Sequence, residues 1–580
     1  MSGELHDILL RLNFVYVDAS EVPETSLLHH NTKLIGYYVK AYTILEQYID
    51  VALVIPKDPH ISLPPAIVLD LPEIHRGTLI PHITSELLLC YVEEMEANWD
   101  PNNLSALYSD IDRQIEKTLA LGINASKNLE QHNEELEGEF SSYWRPSQNL
   151  ITLCDIESTR NIGTFKISGD SKNCGYNYVT TNSTDETLKG HLVNWSVLQN
   201  VHSEDICHSI LTHRISVQPS KISKSQWPPK NFTEVIDWLS VVDHNSRTNI
   251  IRKIIDEKKS ERIFILDIKN QGVLAFYIKL SIDLSRQRKS KKISISNLMP
   301  LLRGKNSTTD FTRLSVTKCD SLSLIGRNRP RNIDLKEHRV ALIGCGTIGG
   351  YLSSLLVKSG AGCGKGKLDL FDPDNYKPDN FGRHILEITY SGKNKATSLA
   401  TALKRSTHIV NYINGHTKSF PITPENLSQY DIVIDATGRA PVSKRLAKVA
   451  RKLESIKTPI IVHCFNDGNG RAAKVFIDDG KACYSCLTSN PQTHNKQEID
   501  LRFKDINNDA EKKVSCGNTY TPYDAAVSHI AAGIAQQAIL LTLEPSLPWT
   551  YCEHILTGAR SQKPKIVGRI RDCKVCGNGK

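Results

Sequence analysis

The chain has 580 residues, of which 40% are hydrophobic and 23% charged, and a formal net charge of +8. That length exceeds a single hydrophobic core and implies roughly three or four domains, while the composition is that of a folded globular protein and not a disordered or fibrous one. The charge is spread too thinly for a nucleic-acid carrier, and no apolar run approaches the ~20 residues of a membrane span. The N-terminal MSGELHDILLRLNFVYVD lacks the basic and apolar regions of a signal peptide. The expectation is a cytoplasmic protein with neither a membrane nor a nucleic-acid partner. The one dense basic run, Arg286 to Lys292, reads as a solvated loop. The 14 cysteines fit a reducing compartment, where metal ligation or nucleophilic chemistry is more usual than disulfides.

In chain order, residues 1–145 offer a helix at Glu4 to Leu12 and strand-like runs around Lys33–Val39, Ile49–Ile55 and Ala66–Leu69. A longer helix follows from Leu104 to Leu121. Residues 146–320 hold short β-rich runs (Leu150–Cys154, Ile263–Ile268, Val273–Leu280) and a Pro/Lys/Ser-rich piece at Pro219 to Lys230, with no motif that carries chemistry. From 321 to 580 the pattern is α/β. Strands are expected at Val340–Ile343, Leu368–Phe371 and Asp431–Asp435, and helices at Thr347–Ser359 and Lys393–Arg405. Such alternation implies a parallel sheet covered on both faces. The apolar stretch Ala525 to Leu543 is broken by Ser528, His529 and Gln536–Gln537 and reads as a buried helix.

The segment VALIGCGTIGG places Gly344-x-Gly346-x-x-Gly349 after the first of these strands and at the start of a helix. A tight turn, close backbone approach and the free N–H groups of a helix N-terminus make that context a phosphate site. Asp372, ending the second strand, is placed to hold a ribose. A dehydrogenase needs nothing more nearby, yet Asp374, Asn380, Arg383 and Lys395 follow. Arg and Lys beside a phosphate site suit a triphosphate and a departing pyrophosphate.

This order of GxGxxG, strand, D-x-D, N-x-x-R and G-x-x-K resembles the ubiquitin-activating and the molybdopterin- or thiamine-biosynthesis adenylating enzymes. The resemblance implies that Asp372 binds the ribose of ATP and that Asn380, Arg383 and Lys395 contact its phosphates. The family's D-x-T-D, whose second acid binds magnesium, reads Asp435-Ala-Thr-Gly438 here. Magnesium then rests on Asp435 or on another group. Arg327 and Arg329 resemble the family's arginine that reaches the ATP of a partner subunit, with a solvated linker as the other reading.

Two CxxC pairs, Cys483/Cys486 and Cys573/Cys576, have the spacing of a tetrahedral zinc site, against the rival reading of redox pairs. Cys516 lies in a polar stretch before a long helix, an environment that lowers a thiol pKa. In the ubiquitin-activating relatives the loop in this place carries the thioester cysteine, which implies that role for Cys516. Cys464 and Cys552 read as buried small apolar residues.

Around Cys90, the order is strands, Pro64–Pro65, His82, Cys90, Trp99-Asp100-Pro101 and an amphipathic helix. It resembles ubiquitin-conjugating enzymes, with Cys90 as the catalytic thiol. The H-P-N tripeptide is missing, leaving Asn98 or His82 to take the place of its Asn. A conjugating-like front (1–145), a β-rich linker domain (146–320) and a Rossmann-like adenylation domain (321–580) together resemble the bacterial fusion enzymes of CBASS antiphage operons. That resemblance implies ATP, Mg2+ and Zn2+ as cofactors, a homodimer, and attachment of a protein C-terminus to a target amine. The activated protein would be a CD-NTase (a cyclic-nucleotide synthase) or a ubiquitin-like protein. Two other readings stay open: adenylation of a small sulfur-carrier protein, and a nucleotide-binding scaffold without ligase activity.

Overall fold

The computed structural model describes residues 3–17, 37–75, 79–84, 87–95, 97–125, 135, 140–159, 161–168, 174–182, 184–219, 227–257, 259–282, 295–303, 308–327, 329, 331, 333–454, 458–505, 512–515, 518–520 and 522–577. Cys516, the basic run Arg286–Lys292 and the first part of the Lys33–Val39 strand prediction lie outside the described residues. The chain forms two compact units. The first comprises residues 1–152, 156–180 and 205–317; the second comprises 153–155, 181–204 and 318–580.

In the first unit, a five-stranded antiparallel sheet runs in sequence order: β1 (Val15–Val17), β2 (Tyr37–Ile44), β3 (Gln47–Val54), β4 (Ala66–Val68) and β5 (Leu88–Leu89). The β2–β3 hairpin closes through Leu45 and Glu46, both at positive φ (51° and 64°), the geometry whose twist matches the flanking strands. A helix at Leu104–Ala125 buries Leu104, Leu107, Tyr108, Ile111, Ile115 and Leu119 against this sheet. Their 3–4 residue spacing puts them on one face, and Asn103 caps the helix by accepting from the Ala106 N–H (3.1 Å).

The β-rich middle region closes into a seven-stranded barrel. Its strands are β6 (Gln148–Thr152), β7 (Ile162–Ile167), β8 (Tyr178–Asn182), β9 (Ile206–Val217), β10 (Glu261–Ile268), β11 (Gly272–Leu280) and β12 (Thr308–Lys318). They lie in the order β10-β11-β12-β6-β8-β7-β9. Helices Phe232–Val242 and His244–Asp256 add Phe232, Trp238 and Ile250 to its core. Trp144 joins that core and donates its indole N–H to the carbonyls of Ala275 and Leu314 (3.1 Å each). Leu79 from the front sheet's last turn belongs to the same cluster, so front and barrel share buried contacts.

The second unit is the α/β layer structure the alternation implied. Five parallel strands, β13 (Val340–Ile343), β14 (Leu368–Phe371), β15 (Ile413–His416), β16 (Ile432–Asp435) and β17 (Ile460–Asp467), are extended antiparallel by β18 (Ala472–Asp478) and a later strand, Tyr551–Ile555. The order is β15-β14-β13-β16-β17-β18 and then Tyr551–Ile555. β13 is buried at every position, and its side chains divide by parity: Val340 and Leu342 enter one core, Ala341 and Ile343 the other. Helix Ala525–Leu541 covers the first face and helix Ala440–Ala450 the second. No helix among the described residues is long and apolar enough to cross a membrane.

Helix Glu186–Leu198 docks onto this unit through two buried histidines. His191 Nε2 lies 2.7 Å from Asn411 Oδ1, His408 Nε2 donates to the Cys319 carbonyl (2.8 Å), and the rings meet edge-on at 6.1 Å. Burial, reinforced by the neighbouring His191, pushes His408 down to about 4. A folded-state value below the unfolded one means that the unfolded chain binds the proton more tightly. Stability therefore falls as pH drops from about 6.5 toward 4. Denaturant titrations at about pH 7 and about pH 4.5 should show this loss, and His408→Gln, which keeps a donor but cannot titrate, should lose less.

Candidate functional site

The glycine loop between β13 and helix Thr347–Lys358 stands at the carboxyl ends of the parallel strands, where the connection from β13 departs to one side and that from β16 to the other. Gly344 takes φ +91°, and a Cβ there would lie 3.0 Å from the Ala436 backbone. A Cβ on Gly349 would lie 1.9 Å from the Gly344 carbonyl oxygen, so the helix reaches its position only without a side chain. Gly346 caps the helix without a side-chain bond, which turns the first N–H groups toward the cavity in front of it.

The Cys345 peptide is held at both ends. Its N–H donates to Asp372 Oδ2 (2.7 Å), and its carbonyl accepts from His384 Nε2 (2.9 Å). His384 Nδ1 accepts the Leu386 N–H (3.1 Å), which places the ring hydrogen on Nε2. Burial lowers the His384 pKa and keeps the ring neutral. The other oxygen of Asp372 accepts the Asp374 N–H (2.8 Å). Asn394 completes the frame, donating to the Asp372 and Asp374 carbonyls (2.8 and 3.1 Å) while it caps the helix that begins at Lys395.

The cavity in front of the loop has a volume of about 680 Å3. Gly346, Thr347, Asn380, Arg383 and Lys395 share its wall, so the residues singled out for phosphates are brought together. The Lys395 ammonium sits 3.4 Å from Asp374, and Arg383 lies over the Tyr523 ring at 5.0 Å. A helix N-terminus, an amide and two cations facing one space fit a polyphosphate. Asp372 stands behind the loop, 6% exposed, with each oxygen accepting a backbone N–H.

Asp435, one of the two seats left open for magnesium, is turned inward. Its carboxylate is 2% exposed and receives four protein donors: the Thr437 N–H and hydroxyl on Oδ1 (3.1 and 2.7 Å), and the Ser443 hydroxyl and His463 Nδ1 on Oδ2 (2.6 and 2.9 Å). Burial alone would raise its pKa; the hydrogen bonds and the His463 ring outweigh it and hold the group below the usual range. Such a saturated carboxylate does not fit a magnesium ligand. Asp467 does line the cavity, and its second oxygen pairs with the buried Lys474 (2.6 Å). Lys474 in turn meets Asp500, Asp500 meets Arg502, and Arg502 meets Glu553, a chain of charges buried except for the half-buried Arg502, which no motif announced. Arg329 bonds Ile333 and Asp334 of its own chain, whereas Arg327 is exposed.

The four cysteines of the CxxC pairs converge, although their pairs lie 90 residues apart. Their sulfurs all fall within 4.8 Å of one another, with Cys483–Cys573 at 3.6 Å and Cys486–Cys576 at 3.3 Å. A tetrahedron of zinc–thiolate bonds has edges of about 3.8 Å, so the set fits zinc as ligands Cys483, Cys486, Cys573 and Cys576. Cys464 is buried beside the Asp435 carbonyl and burial raises its thiol pKa; Cys552 is half-buried and shifted the same way. Neither suits a nucleophile. Strands β19 (Lys512–Ser515) and β20 (Asn518–Tyr520) pair antiparallel on either side of the Cys516 position, and the strand Tyr551–Ile555 is β21.

In the first unit Cys90 is exposed at the end of β5, and its N–H donates to the His82 carbonyl (2.8 Å). His82 holds a left-handed φ of 65°, with Nε2 3.1 Å from Glu135. The remaining residues of the pattern surround the segment after Cys90. The Tyr91 hydroxyl donates to the Pro64 carbonyl (2.8 Å), the Trp99 indole N–H to the His60 carbonyl (2.7 Å), and His60 Nδ1 meets the Pro101 carbonyl (2.7 Å). Asn98 is exposed. His60, Tyr91, Glu135, His384, Asn394 and Tyr523 gave no motif by themselves; only the adjacency of His384 to the N-x-x-R pattern was a visible signal.

Residues 13–152 match the profile of the Prokaryotic E2 family B, and residues 322–565 match that of the ThiF family. The ATP-dependent ubiquitin transferase-like protein Cap2 of Escherichia coli (strain TW11681) is 43% identical over 586 residues, covering 99% of each chain. Its namesake from Vibrio cholerae serotype O1 is 42% identical, covering 99% of this chain and 100% of that one. The chain belongs to the Cap2 family of ATP-dependent ubiquitin transferase-like proteins. A more distant member from Pseudomonas aeruginosa is 25% identical over 80% of this chain and 79% of its own. The chain is therefore an enzyme of ATP-dependent conjugation, with an adenylating region behind a conjugating-like one.

Gly349 and Gly346 should respond differently to an added methyl group. Gly349→Ala forces a backbone clash and should cost at least about 3 kcal/mol in denaturant unfolding. Gly346 meets nothing within 4 Å at φ −76°, so Gly346→Ala should unfold like the native protein yet bind ATP more weakly in calorimetry. Elemental analysis should find about one zinc per chain, lost in Cys486→Ser together with part of the thermal stability.

Proposed function

We propose that the enzyme activates the C-terminal carboxylate of a protein with ATP and ligates it to a target amine through two cysteine thioesters. The observation that carries the reading is the grouping of Asn380, Arg383 and Lys395 with the Gly346 helix N-terminus around one cavity, in a chain that also presents an exposed Cys90 within a conjugating-like frame. The substrate carboxylate attacks the α-phosphorus of ATP; a P–O bond forms, the α–β bridge breaks and pyrophosphate leaves. Arg383 and Lys395 stabilise the charge on the departing pyrophosphate, and Asn380 orients it. The side chain of Asp372, which steadies the glycine loop, retains one lone pair on each oxygen with which to meet the ribose.

The thiolate of Cys516 then attacks the acyl carbonyl and expels AMP. Transfer to the thiolate of Cys90 preserves the acyl potential, and an amine displaces Cys90 to leave an amide. In this assignment residues 1–145 serve conjugation, 146–320 link, and 321–580 adenylate. The activated protein is a CD-NTase or a ubiquitin-like protein, the setting is CBASS antiphage defence in the cytoplasm, and the working form is a homodimer in which the exposed Arg327 reaches the partner's nucleotide. Zinc on the four cysteines is structural. Magnesium is not assigned to Asp435.

Intact-mass analysis without reductant, using ATP, magnesium and candidate proteins with exposed C-termini, tests the relay. Cys90→Ala should trap a thiol-sensitive adduct on Cys516 and form no conjugate, and Cys516→Ala should form neither. Normal conjugation by Cys90→Ala would refute the two-cysteine order. Pyrophosphate exchange without any adduct would favour a sulfur-carrier adenylating enzyme.

A further inference from the structure

The turn between β17 and β18, the phosphate-side cation Arg383 and the first turn of the phosphate-loop helix meet at one side chain, Tyr523. We infer that Tyr523 is a positioning residue of the nucleotide site, holding Arg383 in the pose that meets the phosphates. The inference rests on the reading of the cavity as an ATP site and adds a residue that no motif contains.

Three contacts fix the Tyr523 ring. Its face receives the Arg383 guanidinium at 5.0 Å, and its hydroxyl donates to the Thr347 hydroxyl (3.4 Å), in the first turn of the phosphate-loop helix. From behind, Gly470 at φ +80° presses against it so closely that a Cβ there would lie 2.3 Å from the Tyr523 Cβ. The backbone is equally constrained, because the next residue, Asp524, caps helix Ala525–Leu541 by accepting the Ala526 N–H (2.8 Å). A ring anchored in this way cannot follow a swinging arginine; it can only hold one.

Arg383 needs such a holder. Among the described residues no carboxylate forms an ion pair with it, whereas Lys395 on the same wall has Asp374 at 3.4 Å. An acidic partner would orient the guanidinium but neutralise the charge that the phosphates require. An aromatic face orients it and leaves the charge available, since the attraction comes from the ring quadrupole and not from a counter-ion. The planar fork then loses less freedom when phosphate oxygens arrive.

Calorimetric titration of the full chain with ATP alone provides the test. Tyr523→Leu should weaken ATP binding about 3- to 30-fold. Tyr523→Phe, which keeps the ring, should recover most of that loss. A native-like thermal unfolding midpoint for Tyr523→Leu, measured beside the titration, guards against a folding artefact of that variant. In an Arg383→Ala background, Tyr523→Leu should change affinity by no more than about 2-fold, since the arginine it positions is gone. An undiminished effect in that background, or unaltered affinity in Tyr523→Leu, overturns the inference while leaving the ATP site intact. Failure of the native protein to bind ATP overturns both.

Discussion

The nucleotide site depends on the grip on the Cys345 peptide. A glycine loop is chosen for its freedom, and that freedom has to be removed again before the loop can present N–H groups in fixed directions. Asp372 takes the peptide N–H and neutral His384 donates to its carbonyl. The two peptide units that flank the Cys345 α-carbon are thereby each pinned by a side chain. His384 donates from Nε2 while Nδ1 accepts the Leu386 N–H, a pair of roles that needs the neutral ring, which burial favours. Asp372 is itself braced by Asn394, whose helix begins with Lys395. The loop, the acid and the phosphate lysine form one hydrogen-bonded frame.

Around that frame the charges are sorted by burial. Positive groups face the cavity, whereas the nearby carboxylates are engaged elsewhere: Asp435 by four donors, Asp467 by Lys474. Buried ion pairs are costly to desolvate and are retained where each member is well satisfied. The chain from Lys474 through Asp500 and Arg502 to Glu553 meets that condition, with Arg502 bonded to both of its acids through paired nitrogens. It fastens the stretch that carries Ile499 and Phe503, two residues of the cavity wall, to the edge of the sheet.

The same sorting separates the cysteines. Cys464 has the chemistry of a nucleophile but is enclosed beside Asp435, where the thiolate is disfavoured. Cys483, Cys486, Cys573 and Cys576 are enclosed as a set, which suits a metal. Cys90 is exposed, on a strand end whose geometry is fixed by the His82 carbonyl. Among the described residues, thiols of one residue type are thus separated by burial and grouping alone.

By itself the sequence determined the periodic parts. Val340–Ile343 and Leu368–Phe371 occur as expected, and the helix predicted from Thr347 differs by one residue at its end, because continuous apolar runs bounded by glycine admit few alternatives. The loop, the N-x-x-R and the lysine were legible because local spacing sets which of them can reach one phosphate. The strand expected around Lys33–Val39 runs on to Ile44, because its alternation continues past Val39 through Tyr42. Only the tertiary structure decided the barrel, whose strands are short and whose closure joins segments distant in sequence. It alone brought Tyr523 to Arg383 and His384 to Cys345, and turned Asp435 inward. Those contacts depend on burial and on approach between remote segments, and neither leaves a period or a spacing in the chain.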